Sequence, residues 1–137
     1  MKIKFKKKRL YANLVLGIIW VIIAPLSLLK DEGLNWSDYI YFGIGVFYLA
    51  HYVYDLKHQY LEIEDGVIKK NSLYGFRKKM NLKDIDRVEK FAGDYTLKSN
   101  DTKLKINTSF IENQSLTSLV KTLSELNLPT EKTPFIK

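Results

Sequence analysis

Twenty consecutive residues without a formal charge, Leu10–Leu29 (LYANLVLGIIWVIIAPLSLL), constrain this chain more than any other feature. As a helix, a run of that length rises about 30 Å, the thickness of a bilayer's hydrocarbon core. A second uncharged run, Tyr39–Tyr54 (YIYFGIGVFYLAHYVY), follows, and Trp36 and Leu56 as outer limits bring it to spanning length. Its tyrosines crowd both ends, where rings with a polar tip favour the membrane interfaces. Pro25 is expected to kink or end the first helix. A cleaved signal peptide fits less well, because its apolar core is shorter and no A-x-A-like site follows. Two core helices of a soluble protein fit less well again. Only about 80 residues remain to wrap them, barely enough for one small core.

The charges flanking these runs give an orientation. The leading segment MKIKFKKKR carries six basic residues and no acid, whereas the connector KDEGLNWSD has Lys30 alone against Asp31, Glu32 and Asp38. Lysine and arginine bias places the basic side in the cytoplasm, and two spans return the chain there. The expectation is a plasma-membrane protein with both termini cytoplasmic and a short outer hairpin. The basic arm should lie on anionic headgroups. Gly17, Gly43, Gly45 and Ala50 can let the helices approach closely.

The net charge of +7 and pI near 9.4 raise the question of nucleic acid. The anchor arm accounts for the charge and no recognised nucleic-acid motif occurs, so no nucleic-acid partner is expected. There are no cysteines, which removes disulfides and thiolate metal sites. No Gly-rich phosphate loop, G-x-S-x-G or H-E-x-x-H occurs, and no cofactor or catalytic residue is assigned. His51, Asp55 and His58 stand at i, i+4, i+7, but no other histidine completes a metal set, so they read as interfacial residues. Asp84, Asp86 and Glu89 cluster, with Asp84 and Asp86 expected on one solvated strand face.

Beyond Gln59 the pattern changes to alternation. YLEIE, Asp65-Gly66 and VIKKN spell a hairpin. FRKKM, IDRVEKF, a Gly93-Asp94 turn, and YTLKS paired through Ser99-Asn100-Asp101 with TKLKINTSF give six or seven short strands. Leu116, Leu119, Val120, Leu123 and Leu126 then mark one helical face, with Asn113 or Ser115 able to cap its start and Asn127 and Pro129 its end. TEKTPFIK reads as a loose tail.

Strands followed by one C-terminal amphipathic helix resemble the pleckstrin-homology order. The segments YLEIEDGVIKKNSLYGFRKKMNLKDIDRVEKF and SLTSLVKTLSEL resemble the bacterial PH-like membrane proteins, with a Gly-turn hairpin opening the domain and NLKDI (Asn81–Ile85) leading into a later strand. The resemblance covers about residues 57–128. It implies a binding or assembly module without enzymatic activity and names no ligand. The fold class expected is an α+β membrane protein: a two-helix transmembrane hairpin followed by a PH-like antiparallel β-barrel or sandwich capped by an α-helix. Its parts are a basic arm (1–9), the hairpin (10–56, spans 10–29 and 36–56), the PH-like domain (57–128) and a tail (129–137).

Candidate anionic-lipid contacts are Lys6, Lys7, Lys8 and Arg9 on the arm, and Lys69, Lys70, Arg77, Lys78 and Lys79 around the second and third strands. The competing reading of the second group is a solvated face that keeps edge strands from pairing. The function expected is a membrane-anchored interaction module that binds a protein partner, itself as a homo-oligomer, or anionic lipid of the bilayer. The alternatives are an immunity or stress protein against a bacteriocin or membrane-active toxin, and an accessory subunit of a transporter.

Overall fold

The computed structural model describes residues 1–30, 33–75 and 78–135. It is α+β and divides into two units: Lys7–Lys57, and Met1–Lys6 together with His58–Lys137.

The first unit is a helix pair. Helix α1 (Lys7–Ile23) holds much of the first apolar run, and Ala24–Lys30 tighten into a 3-10 turn where Pro25 removes a backbone donor. Helix α2 (Trp36–His58) opens with Asp38, whose carboxylate accepts the Asn35 backbone N–H at 2.7 Å. An acid three residues into a helix commonly secures the cap in this way. The helices meet at two glycines. A Cβ built on Gly17 would lie 2.7 Å from the Leu49 side chain, and one on Gly45 would lie 2.7 Å from Val21 Cγ2 and 3.0 Å from the Gly17 carbonyl oxygen. Backbones approach this closely only where side chains are missing. Trp20 packs on Tyr41 with ring centres 5.5 Å apart. Gly43 faces open space and Ala50 is exposed, so of the four small residues only Gly17 and Gly45 form the crossing. Among the described residues, Lys7–Leu26 is the one helical stretch long and apolar enough to cross a membrane by length and composition.

The second unit consists of two antiparallel sheets and a helix. Strands β1 (Lys2–Ile3), β2 (Leu61–Glu64), β3 (Val67–Lys70) and β4 (Lys79–Asn81) pair in that order. Strands β5 (Arg87–Phe91), β6 (Asp94–Lys98) and β7 (Lys103–Ile106) form the other sheet. The β2–β3 hairpin turns on Asp65 and Gly66, both at positive φ, the backbone that a two-residue hairpin requires. Ala92 and Gly93 do the same between β5 and β6, so that turn falls one residue earlier than expected and Asp94 begins a strand. Alternate residues of both sheets are buried, among them Leu61, Ile63, Ile68, Met80, Val88, Leu97, Leu104 and Ile106. Helix α3 (Asn113–Ser124) adds Leu119 and Leu123.

Four expectations need correction. First, the basic arm is not a separate segment. Lys2 and Ile3 pair with Glu62 and Leu61, while Phe5 bridges Ile111, so Met1–Lys6 lies as a seam between β2 and the chain after β7. Ile3 and Phe5 are buried because alternation in KIKFK turns them inward and the lysines outward. Second, neither Asn113 nor Ser115 caps α3. Glu112 occupies that position, and the Ser115 hydroxyl accepts the Lys4 N–H at 3.0 Å. Third, Leu82–Asp84 is a 3-10 turn and β5 starts at Arg87, so Asp84 and Asp86 do not share a strand face. Fourth, the tail is partly packed: Phe135 lies 5.6 Å from the Tyr95 ring.

Candidate functional site

The outer face of the β5–β7 sheet carries most of the site. Leu97, Leu104 and Ile106 turn inward, so Thr96, Lys98, Lys103 and Lys105 turn outward, joined by Glu89 from β5. The pairing register sets Lys98 directly opposite Lys103 and Thr96 opposite Lys105. The end of β3 brings Lys70, and the connection to β4 brings Tyr74, Gly75 and Lys78, to the same place. Together they line an open groove of about 500 Å³ with five lysines and one carboxylate.

Lys70 lies on the same side of β3 as the buried Ile68, so its stem is half-buried. Its ammonium donates to the Lys105 carbonyl oxygen at 2.7 Å, and that of Lys78 donates to the Lys103 carbonyl at 3.3 Å. A Cβ on Gly75 would come within 2.9 Å of the Lys70 stem and 3.3 Å of the Lys78 stem, so glycine leaves both side chains their path. Burial, then the charges of Lys78 and Lys105, hold the Lys70 ammonium below its ordinary pKa of 10.5. Glu89 accepts from the Lys98 ammonium at 2.8 Å, and this bond, with Arg87 beside it, keeps its carboxyl below the ordinary range.

An aromatic cluster backs the groove. The Tyr74 ring centre lies 5.2 Å from Phe5, 6.0 Å from Tyr60 and 6.0 Å from Phe110. Tyr60 is buried, and its hydroxyl accepts the Asn107 N–H at 2.9 Å. The loop leading to Tyr74 is pinned by Asn71, whose amide donates to the Gln59 carbonyl at 2.8 Å and accepts the Leu73 N–H at 2.9 Å.

The lysines singled out from sequence are therefore divided. Lys70 and Lys78 reach the groove. Lys69 and Lys79 face each other across β3 and β4 on the exposed side of that sheet. Arg77 lies outside the described residues. Lys6 ends the seam, and Lys7, Lys8 and Arg9 open α1 in the other unit. Lys98, Lys103, Lys105, Thr96 and Tyr74 are the groove residues that sequence reading missed. The signal was present: lysines two apart in TKLKI share a strand face, and the Ser99-Asn100-Asp101 turn sets Lys98 against them. His51 and His58 do not converge. His51 pairs with Asp55 at 3.0 Å and His58 with Glu62 at 3.7 Å. Among the described residues no three metal-ligating side chains gather.

No protein-family model matches this chain, and neither a search of curated proteins nor one of solved structures finds a match.

Proposed function

We propose that this chain is a membrane-anchored, non-enzymatic interaction module: a two-helix transmembrane hairpin that holds a PH-like sandwich at the cytoplasmic face of the plasma membrane. The observation that carries the reading is the apolar outside of the helix pair. Val15, Ile18, Ile19 and Ile22 on α1, and Phe42, Val46, Phe47 and Val53 on α2, are all exposed. Only 17% of the most apolar stretch of Lys7–Leu26 is buried, unlike the core helix of a soluble protein. Water tolerates contiguous apolar surface only up to a few hundred Å², and lipid removes the cost. Helix α2 is less apolar because tyrosines and Asp38 occupy its ends, the places where interfacial groups belong. The first turn of α1 holds Lys7 and Lys8 and no acid, charges opposed to the helix dipole, and anionic headgroups offset them.

Binding rather than catalysis suits the sandwich. Among the described residues the groove's one carboxylate, Glu89, is paired with Lys98, which lowers its pKa, a shift away from what a proton donor at neutral pH needs. Membranes washed with alkaline carbonate, together with an alkaline-phosphatase fusion at the C-terminus, test the proposal. The expected result is retention in the membrane fraction with a silent reporter. Release by carbonate would remove the anchor, and an active periplasmic reporter would reverse the topology.

A further inference from the structure

We infer that the groove between the β3–β4 connection and the outer face of the β5–β7 sheet is a binding site for a phosphate group. Cations enter it from two sides. Lys98, Lys103 and Lys105 rise from the sheet, and Lys70 from the end of β3 and Lys78 from the connection that follows it line the other side. Lys70 and Lys78 each use a donor on a β7 carbonyl, and an ammonium has three, so donors remain on both. Among the described residues, the Lys103 and Lys105 ammonium groups donate to no other residue. Lys98 faces Lys103 across the strand pair, and Glu89 pairs with Lys98, which leaves Lys103 and Lys105 as the cations open to an anion.

Covering the outer edge of β7 against other strands is the competing role. It accounts for Lys103 and Lys105 on β7 and for Lys70 and Lys78 on the β7 carbonyls, but not for the gathering of all four in one groove with Lys98 of the central strand β6. A carboxylate presents two oxygens in one plane. Phosphate presents oxygens in three dimensions and up to two charges, which suits point-charge donors converging from opposite sides. The hydroxyl of Thr96, on the outward face of β6, adds a neutral donor to the lining. The volume, about 500 Å³, leaves room for a phosphate still attached to its carrier. A lipid headgroup and a free phosphate share this chemistry.

The inference rests on reading the sandwich as a binding module, and not on where the helix pair resides. The test uses the full chain in neutral detergent, titrated by calorimetry with inorganic phosphate and with short-chain phosphatidic acid, against chloride at matched ionic strength. Saturable binding is expected, weakened about tenfold or more in the Lys103→Gln/Lys105→Gln variant. Among the described residues those side chains donate no hydrogen bond, and Lys103→Gln alone serves if the double variant unfolds. Binding of phosphatidic acid alone identifies a lipid headgroup, and binding of both identifies the phosphate itself. No saturable binding, an equal response to chloride, or binding unchanged in the variants would overturn the site. The carbonate and reporter results remain independent, so loss of the site leaves the anchor standing, and the reverse holds too.

Discussion

Lys70 shows how one position joins fold and site. Its strand position points the stem inward beside Ile68, and its ammonium escapes to the groove and ties β3 to β7 through the Lys105 carbonyl. Burial and the charges of Lys78 and Lys105 lower its pKa, so the folded state binds this proton less tightly than the unfolded chain does. The penalty is present below the folded pKa. Stability therefore rises as pH climbs through that value toward 10.5, above which the penalty is gone. Thermal unfolding in a phosphate-free buffer series should show this rise, and Lys70→Met should flatten it. An identical pH profile in the variant would assign the rise to another group. Lys70 was named from sequence as a surface lysine, and its inward direction was not legible there. One residue's shift along a strand exchanges the faces, and only the pairing of Lys70 with Leu61 fixes which is inside.

At the scale of elements, the helix pair depends on its crossing. Gly17 and Gly45 bring two backbones together where any side chain would press on Leu49 or Val21. Gly45→Leu should destabilise the pair by about 1–3 kcal/mol, while Gly43→Leu, at a position facing open space, should cost far less. Protease protection of the two variants in membranes compares them, and equal losses would refute the crossing. Both apolar runs and both main hairpins were legible because uncharged length and alternation around Asp65-Gly66 are local signals. The glycines that meet were not separable from Gly43 and Ala50, because that choice depends on how two helices rotate against each other.

For the whole molecule, the chain order is the unexpected feature. The helix pair is inserted between β1 and β2, so the two-sheet unit takes its first strand from before the pair and the rest from after it. The two entry points are stitched: Gln59 accepts the Phe5 N–H at 3.1 Å, and Ile3 accepts the Tyr60 N–H at 3.1 Å. Replacing Lys7–Lys57 by a short glycine-rich linker should thus leave a soluble two-sheet unit with cooperative unfolding, and further removal of Met1–Lys6 should abolish it. Buried Ile3 and Phe5 are worth about 2–5 kcal/mol each, a large share of a small domain's stability. Circular dichroism during urea unfolding separates the two, and a stable two-sheet unit without residues 1–6 would make the seam dispensable. Sequence alone determined the uncharged runs, the hairpin turns, the apolar stripe of α3 and the excess of lysine, because each is a pattern within a few turns or strands. Only the tertiary structure decided that Lys2–Ile3 is a strand with Phe5 bridged to Ile111, and that Lys98, Lys103 and Lys105 meet Lys70 and Lys78 in one groove. Those pairings join residues far apart in the chain, and no local pattern encodes which distant partner a strand will take.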